Sequence, residues 1–508
     1  PFISIAQSAP AIEWQRTWGS SGEDGGQVIK PTNDGGYMVI GSTQAADGDV
    51  TSYHGGYSDA WVLKLDATGF LEWQRTFGGS GADRAEDIEQ TIEGGYIVAA
   101  ITTSNDGDAS GNHGGWDAWL IKLDADGNLE WQKCYGGSGN DGARSVVQTE
   151  EGGYVLAATT RSNDGDVSSN HGSADYWVLK LDELGNINWQ NTYGGTGYDE
   201  AADLQETDDG GYIITGVTTS VDGDVTEPAN ATDTWTIKLD HNGNIMWDRS
   251  LGGTSDDYVY SIKQAMDQGY VLAGSTSGNS YGCDNNSFYA YVAKLNASGE
   301  LEWQYTCLGG SADDFTNTIT QTADGGYVLA GWTESDDGDI SFNHGSRDGW
   351  LVRLDPSGNL LWEHTFGGSN NDALYSIALT DDGGYVIAGS SFSTDGDLTE
   401  NKGEGDLWVV KLGPDHVGIA QRESQPLFSL SPNPANEVVN IHFAEALPVG
   451  ARLKLLDAQG RHLATPHEGN VVTTGSDVQF SVAQLPAGMY AVQLSSEGGI
   501  WTQRFVKQ

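Results

Sequence analysis

Apolar and polar residues alternate over short runs along most of the chain, and clusters of Gly, Asn and Asp separate these runs. Alternation with a period of two predicts β-strands, and the clusters predict the tight turns of antiparallel hairpins. Within residues 83–137 there are four such runs, Asp83–Thr91, Tyr96–Ser104, Asp117–Asp124 and Leu129–Gly137. We name them strands A to D, and they predict a four-stranded antiparallel sheet.

The same four-strand pattern recurs up to residue 413, and a tryptophan of strand D marks each copy. Successive markers are 56 to 59 residues apart. The seven marker residues are Trp14, Trp73, Trp131, Trp189, Trp247, Trp303 and Trp362. A fixed period of this length indicates stacked units, because no single unit buries its apolar face alone. Seven four-stranded units predict an all-β fold with a seven-bladed β-propeller over residues 11–413.

The two ends of the repeat region predict how the ring closes. The last copy contains strands A to C, the third of which ends at Leu412, and no fourth run of the pattern follows. Residues 11–18 form an isolated strand D at the start of the region. We therefore expect this N-terminal strand to complete the seventh blade and remove its exposed edge.

An Asp-x-x-Gly-Asn-x-x-Trp run across strands C and D resembles the tryptophan-docking repeats of quinoprotein-type propellers. The resemblance implies that the indole packs between neighbouring blades. It concerns the fold alone, because the quinone-binding residues of that family are not recognisable in this chain. The paired indoles of each C–D hairpin, such as Trp119 and Trp131, are accordingly expected to fill the blade interfaces.

Charge excludes several classes of partner. The 508 residues include 72 Asp and Glu against 24 Lys and Arg, a formal net charge of −48. Such a surface repels nucleic acid and anionic membranes, so neither is a predicted partner. No apolar run is long enough to predict a transmembrane segment. Residues 1–10 are interpreted as the remnant of a signal peptide, because Pro1–Ala6 is apolar and has small residues at Ser4 and Ala6.

Long polar B–C loops leave the ring on the same face as the D–A loops, which makes this loop face the candidate functional surface. Six B–C loops contain an Asp-Gly-Asp triplet. The triplet residues are Asp47, Asp49, Asp106, Asp108, Asp164, Asp166, Asp222, Asp224, Asp337, Asp339, Asp395 and Asp397. Two interpretations stay open. Closely spaced carboxylates suit Ca²⁺ as a cofactor, and the same residues also form turns in which the side chain accepts backbone N–H bonds.

Other loop residues are candidates for contact with a ligand. Four B–C loops add a histidine, whereas the fifth loop lacks both triplet and histidine and carries a tyrosine. The candidate ligand-binding residues are His54, His113, His171, His344 and Tyr281. Cys283 of the fifth loop can form a disulfide with Cys307 in an oxidising compartment. The Asp and His residues do not single out an acid, base or nucleophile, so no catalytic residue is predicted.

The repeat stops after Pro414, and a linker over residues 414–426 leads to a tail at 427–508 that predicts a small Ig-like β-sandwich. Four segments of this tail, in order, resemble the type A sorting domain of the Bacteroidetes type IX (Por) secretion system. The matching segments are Leu430–Ala435 with Val439–Ile441, Leu453–Arg461, Leu485–Tyr490 and Gln503–Lys507. The resemblance implies export by a signal peptide, recognition of the tail by the type IX machinery, and a secreted or outer-surface location.

The sequence therefore predicts an exported propeller that acts as a binding or adhesion module for a glycan or a surface protein. Two alternatives stay open. A polysaccharide-degrading enzyme, either a glycoside hydrolase or a lyase, needs an asymmetric pair of carboxylates in a sugar-sized cleft. A structural component of a surface layer would self-assemble instead. The repeated residues favour binding over catalysis.

Overall fold

The computed structural model describes residues 9–277, 283, 287–398, 400–415, 428–431, 434–443, 452–456, 462–464, 478–486, 488–496 and 499–508. The chain divides into two compact units, Pro1–His416 and Val417–Gln508. Every helix or strand element assigned within the described residues is a β-strand. The all-β prediction is therefore confirmed.

The first unit contains seven four-stranded antiparallel sheets, which are the blades of the propeller. Blade 1 consists of β2 (Gly25–Pro31), β3 (Tyr37–Thr43), β4 (Asp59–Leu65) and β5 (Leu71–Phe77). Blade 2 consists of β6 (Asp83–Gln90), β7 (Tyr96–Thr102), β8 (Asp117–Leu123) and β9 (Leu129–Tyr135). Blade 3 consists of β10 (Asp141–Gln148), β11 (Tyr154–Thr160), β12 (Asp175–Leu181) and β13 (Ile187–Tyr193).

The remaining blades repeat this plan. Blade 4 consists of β14 (Asp199–Glu206), β15 (Tyr212–Thr218), β16 (Asp233–Leu239) and β17 (Ile245–Leu251). Blade 5 consists of β18 (Asp257–Gln264), β19 (Tyr270–Ser277), β20 (Phe288–Leu295) and β21 (Leu301–Leu308). Blade 6 consists of β22 (Asp314–Gln321), β23 (Tyr327–Thr333), β24 (Asp348–Leu354) and β25 (Leu360–Phe366). Blade 7 consists of β26 (Asp372–Leu379), β27 (Tyr385–Ser391), β28 (Asp406–Leu412) and β1 (Ile12–Trp18).

Ring closure follows the predicted plan. The N-terminal β1 pairs antiparallel with β28, and Trp14 lies opposite Lys411 while Trp18 lies opposite Leu407. The N-terminal strand thus supplies the fourth strand of blade 7. Residues of all seven A strands, β2, β6, β10, β14, β18, β22 and β26, line one central channel of about 910 Å³.

Each apolar core is shared by two neighbouring blades. Val62 of blade 1, for example, belongs to the same buried cluster as Ile88, Val98 and Trp119 of blade 2. The marker tryptophans extend these cores. The ring of Trp73 in blade 1 lies 5.9 Å from the ring of Tyr96 in blade 2, centroid to centroid, in an edge-to-face arrangement. The expectation that the indoles pack between blades is therefore confirmed.

The glycine of each C–D turn makes room for the indole of the preceding blade. Gly127 in blade 2 has a φ of +76°, and a Cβ on it would stand 2.6 Å from Trp73. Gly94, in the A–B turn of the same blade, has a φ of +92° but nothing within 4 Å of a Cβ. Gly127 therefore serves both the turn and the blade interface, whereas Gly94 serves the turn alone.

A buried cation lies near the end of strand C in most blades. The ammonium of Lys64 is 2.9 Å from Asp34 and 3.1 Å from Glu72, and it also donates to the carbonyl of Leu65. Burial acts to raise the pKa of Asp34, but hydrogen bonds from Thr32, Gly36 and Lys64 outweigh it and lower this pKa to about 2. The ion pairs join the A–B turn and the start of strand D to strand C of the same blade.

The second unit contains two small sheets. One has the order β29 (Phe428–Ser431), β30 (Val438–Phe443) and β33 (Val478–Ser481). The other has the order β32 (His462–Ala464), β31 (Arg452–Leu456), β34 (Gly488–Ser496) and β35 (Gly499–Lys507). Both sheets contribute to one buried cluster, which includes Val439 and Ile441 from the first and Leu453, Val492 and Phe505 from the second. This is the packing expected of a small sandwich.

Gly127→Ala should destabilise the propeller more than Gly94→Ala. Both substitutions place a Cβ on a residue with positive φ, which costs about 1–2 kcal/mol. Only Gly127→Ala also drives a methyl group into Trp73, and overpacking of this kind costs about 1–3 kcal/mol more. Urea unfolding followed by tryptophan fluorescence measures the difference. Equal losses in the two variants would contradict the interlocking role of Gly127.

Asp34→Asn should lower the free energy of unfolding at pH 7 by about 1 kcal/mol, because a half-exposed ion pair with Lys64 is lost. The pKa of Asp34 is lower in the folded chain than the unfolded value of about 3.9. Its stabilising effect is therefore complete above the unfolded pKa and disappears as the pH falls from about 4 to about 2. Urea unfolding from pH 7 to pH 3 should show the two proteins converging. Asp126→Asn, at an exposed C–D turn position, is the control and should run parallel to the wild type.

Candidate functional site

The aspartate that begins each A strand is part of the scaffold. Asp83 is fully buried, and its Oδ2 accepts hydrogen bonds from the amide of Gly79 at 2.9 Å and the hydroxyl of Ser104 at 2.7 Å. Its Oδ1 accepts a hydrogen bond from Thr102. These bonds fix the D–A loop to the end of strand B. The same residue type begins the A strand of the other blades except blade 1, where Asp24 immediately precedes β2.

The Asp-Gly-Asp triplets bind the same D–A loops from the other side. Asp106 accepts a hydrogen bond from the amide of Ser80 at 2.7 Å, and Asp108 accepts one from Gly78 at 3.4 Å. Equivalent bonds to backbone amides are made by Asp47, Asp49, Asp164, Asp166, Asp222, Asp224, Asp337, Asp339, Asp395 and Asp397. This is the geometry of the turn interpretation, with each triplet joining a B–C loop to the connection from the preceding blade.

Calcium binding by the triplets stays a prediction. Across the described ranges, no group of three or more His, Cys, Asp and Glu residues is arranged to hold a metal ion. The first residue of strand C nevertheless has an unusual environment. Oδ1 of Asp117 is buried and has no hydrogen-bond partner in the described structure, and the same is true of Asp59, Asp175, Asp233, Asp348 and Asp406. Burial raises the pKa of Asp117 to about 6, against opposing hydrogen bonds from His113.

The four loop histidines lie beside these aspartates rather than beside one another. Nδ1 of His54 is 2.8 Å from Asp59, and its Nε2 is 3.3 Å from Asp108 of the next blade. His113, His171 and His344 make the first of these contacts with Asp117, Asp175 and Asp348 at 2.7 to 2.8 Å. In blade 7 Lys402 takes the place of the histidine and pairs with Asp49 of blade 1. Nε2 of His113 likewise lies 3.7 Å from Asp166 of the next blade, so the histidines serve their own blades and, at His54 and His113, the interface with the next one.

The fifth loop differs from the others. A disulfide joins Cys283 and Cys307, whose Cα atoms are 5.8 Å apart, and Cys134 is free and buried. The candidate residue Tyr281 lies outside the described residues.

Residues that differ between the copies line the central channel. They were not identified from the sequence, because the repeat pattern contains only features that the copies share. The third residue after the scaffold aspartate of strand A takes six different identities in the seven blades, and all seven residues line the channel. They are Gln27, Glu86, Arg144, Ala202, Tyr260, Asn317 and Tyr375. Comparison of the copies position by position, rather than as a consensus, would have found them. The scaffold is symmetric, but the channel wall is not.

At the loop-face end of the channel, blades 1 to 4 form a second cavity of about 580 Å³, which we call the arginine cavity. Its lining includes Arg84, Arg144, Arg161, Tyr198 and Glu200. Arg144, Tyr198 and Glu200 also line the channel. The two cavities therefore share one wall at the channel mouth.

A network of ion pairs holds the arginine cavity. Arg144 lies between Glu86, at 3.5 Å, and Glu200, to which it donates a short hydrogen bond. Burial acts to lower the pKa of Arg144, but these two carboxylates outweigh it and raise the pKa. Nε of Arg84 donates to Glu86 at 2.6 Å. The guanidinium carbon of Arg161 lies 5.3 Å from the ring centroid of Tyr198.

Blades 5 and 6 present aromatic side chains at the same end of their strands. The ring centroid of Tyr258, which lines the channel, lies 6.0 Å from that of Phe288, and the Phe288 centroid lies 5.3 Å from that of Phe315. Phe315 stacks on Trp332 at 4.3 Å, and the guanidinium of Arg347 lies 3.7 Å from the Trp332 ring centroid. We call these four aromatic residues the aromatic row. All four are partly exposed.

Asp106→Asn distinguishes the two interpretations of the triplets. The amide retains an oxygen that can accept the Ser80 N–H, so the turn interpretation predicts little loss of stability. The calcium prediction requires the wild-type melting temperature to rise with added CaCl₂, by the equivalent of about 2.7 kcal/mol at a hundredfold excess over Kd, and the rise to be smaller in the variant. Differential scanning fluorimetry with CaCl₂ or EGTA measures both effects. A wild-type melting temperature that neither reagent changes would contradict calcium binding.

Comparison with known proteins adds the function of the tail. Residues 429–508 match the family described as "Secretion system C-terminal sorting domain". Regulatory protein FlaEY of Caulobacter vibrioides is 22% identical over 378 residues, which cover 64% of this chain and 38% of that protein. The chain thus spans well under half the length of this relative.

Solved structures with some similarity include PorZ, described as an essential bacterial surface component of the type-IX secretion system of Porphyromonas gingivalis. It has 12% identity and a TM-score of 0.40, and the match covers 94% of this chain and 59% of that chain. Puromycin hydrolase has 12% identity and a TM-score of 0.45, covering 87% and 62%. Among the described residues, no helix is long and apolar enough to cross a membrane. The chain is a seven-bladed β-propeller with a type IX secretion sorting domain at residues 429–508, and it is a secreted or cell-surface protein.

Proposed function

We propose that the propeller is a binding module that takes a glycan at the loop-face mouth of its channel. The observation that carries the proposal is the asymmetry of this mouth. Blades 5 and 6 contribute the aromatic row, and blades 1 to 4 contribute the charged arginine cavity. Neither feature is part of the repeat, so neither is needed to build a blade.

The shape of the site favours a glycan over a protein. Specific protein interfaces bury about 800 Å² on each partner and are centred on a well-packed apolar patch. Here the arginine cavity and the channel have volumes of about 580 and 910 Å³, within the range typical of sites for small ligands, and Tyr258 of the aromatic row lines the channel. Aromatic faces bind the apolar faces of sugar rings, while side chains such as Glu200 and Asn317 can bond the hydroxyls.

The alternative of a glycan-cleaving enzyme has one observation in its favour, the carboxylate pair Glu86 and Glu200 at the channel mouth. Glycosidases use two such groups, one of which transfers a proton. Both carboxylates here contact the same guanidinium, that of Arg144. This arrangement suits the orientation of a ligand better than proton transfer.

A glycan array probed with the full chain tests the proposal. We expect binding by the wild type and a loss of about tenfold in affinity for Tyr258→Ala, because one aromatic contact is worth about 1 kcal/mol or more. Phe70→Ala is the matched control, since Phe70 is 60% exposed in a C–D turn on the opposite face. Its affinity should equal that of the wild type.

Other outcomes would contradict the binding module. Absence of binding across the array, or equal losses in the two variants, would place the function elsewhere. Release of reducing sugar from a bound glycan, abolished by Glu200→Gln, would favour the enzyme instead.

A further inference from the structure

Cations are scarce in this protein, yet three of them line one cavity. Lys and Arg number 24 against 72 Asp and Glu, and the arginine cavity contains Arg84, Arg144 and Arg161. The nearby carboxylates are Glu23, Asp141 and Glu200 of the lining, together with Glu86, which contacts Arg84 and Arg144. Three cations against four anions is a much higher share of positive charge than the 24 against 72 of the whole chain.

The repeat does not require these arginines. In strand A, the residues equivalent to Arg84 are Gly25, Gly142, Glu200, Tyr258, Phe315 and Ala373. After strand B, the residues equivalent to Arg161 are Gln44, Thr103, Thr219, Ser277, Glu334 and Phe392. Blades with Gly, Ala, Thr or Ser at these places still form the same four strands. The cations therefore serve the cavity and not the blade.

Two of the three guanidinium groups have donors to spare. The hydrogen bond of Arg84 to Glu86 uses Nε, and 48% of the Arg84 side chain is exposed. Arg161 is exposed and lies over the ring of Tyr198. Arg144, by contrast, already contacts Glu86 and Glu200, and it holds the floor of the cavity in place. Guanidinium groups with free N–H pairs are suited to bidentate binding of a planar anion.

We propose that the arginine cavity binds the carboxylate of an acidic sugar, such as a hexuronate unit, within the glycan. Arg84 and Arg161 donate to the carboxylate, and Tyr198 and Glu200 lie within the same cavity beside the ring hydroxyls. The inference rests on the proposed function and narrows its ligand. The neutral sugars that follow the acidic unit extend over the aromatic row.

The net charge of the protein limits the acidic sugar to an isolated one. A polymer with a carboxylate on every unit would bring many negative charges towards a surface of charge −48. The Debye length is about 8 Å at physiological ionic strength, so charges outside the cavity are still repelled where they approach the acidic loops. A single carboxylate on an otherwise neutral glycan can pair with the arginines of the cavity, and the rest of the glycan is not repelled by the acidic loops.

Matched glycans test the inference on the full chain. Each neutral oligosaccharide on the array is compared with the same oligosaccharide in which one terminal hexose is oxidised at C6 to the uronate. We expect the carboxylated member to bind at least tenfold more tightly. Arg84→Gln and Arg161→Gln should each lower the affinity for the carboxylated member far more than the affinity for the neutral member, and so remove most of this preference. Arg84→Lys should restore only part of it, because an ammonium lacks the planar fork.

Arg75→Gln is the control, because Arg75 lies on an outer D strand and donates to the carbonyl of Gln74. Its preference should equal that of the wild type. Equal affinity for both members of the pairs, or a preference that survives both glutamine variants, would overturn the inference and leave glycan binding intact. Failure to bind either member would instead refute the proposed function. Tighter binding of fully carboxylated polymers, or of an acidic peptide, would also overturn the assignment to an isolated acidic sugar.

Discussion

The packing of each blade against the next is the interaction on which the rest of the molecule depends. A single four-stranded sheet leaves an apolar face exposed, and each buried cluster therefore draws on two blades. Val62 and Trp119 share one such cluster although they belong to different sheets. Since every interface reuses the same contacts, one packing arrangement, repeated from blade to blade, holds the ring together. The loop residues that fix the connections between blades reinforce that packing.

Because every copy builds its interfaces with the same residues, the positions outside the interfaces are free to differ between copies. The residues that build an interface, such as Trp73 and Gly127, have little freedom, because their neighbours belong to the adjoining copy. A residue that faces the channel, such as Arg144 or Tyr260, contacts no fixed partner of the repeat. Chemistry can therefore vary on the channel wall without loss of the ring. This separation explains why the symmetric residues are structural and the asymmetric ones are candidates for binding.

The same separation decides what could be predicted from the sequence. Strand positions, blade number and ring closure by the N-terminal strand follow from a pattern that seven copies repeat. The sorting tail follows from motifs spread over its length. The channel residues did not emerge, because a search for repeated features discards residues such as Glu86 that occur once. The proximity of Arg84, Arg161 and Tyr198 also depends on the angle between neighbouring blades, which a linear pattern does not contain.

Closure by β1 and β28 also determines when the ring can close during synthesis of the chain. Trp14 lies opposite Lys411, so the ring remains open at one blade until nearly the whole propeller sequence has emerged. Pairing across such a long separation is slow compared with the formation of local hairpins. The strand that completes the ring ends at Leu412, before the sorting domain begins at residue 429. A chain that emerges from its N-terminus thus contains every strand needed for closure of the ring before the sorting domain follows.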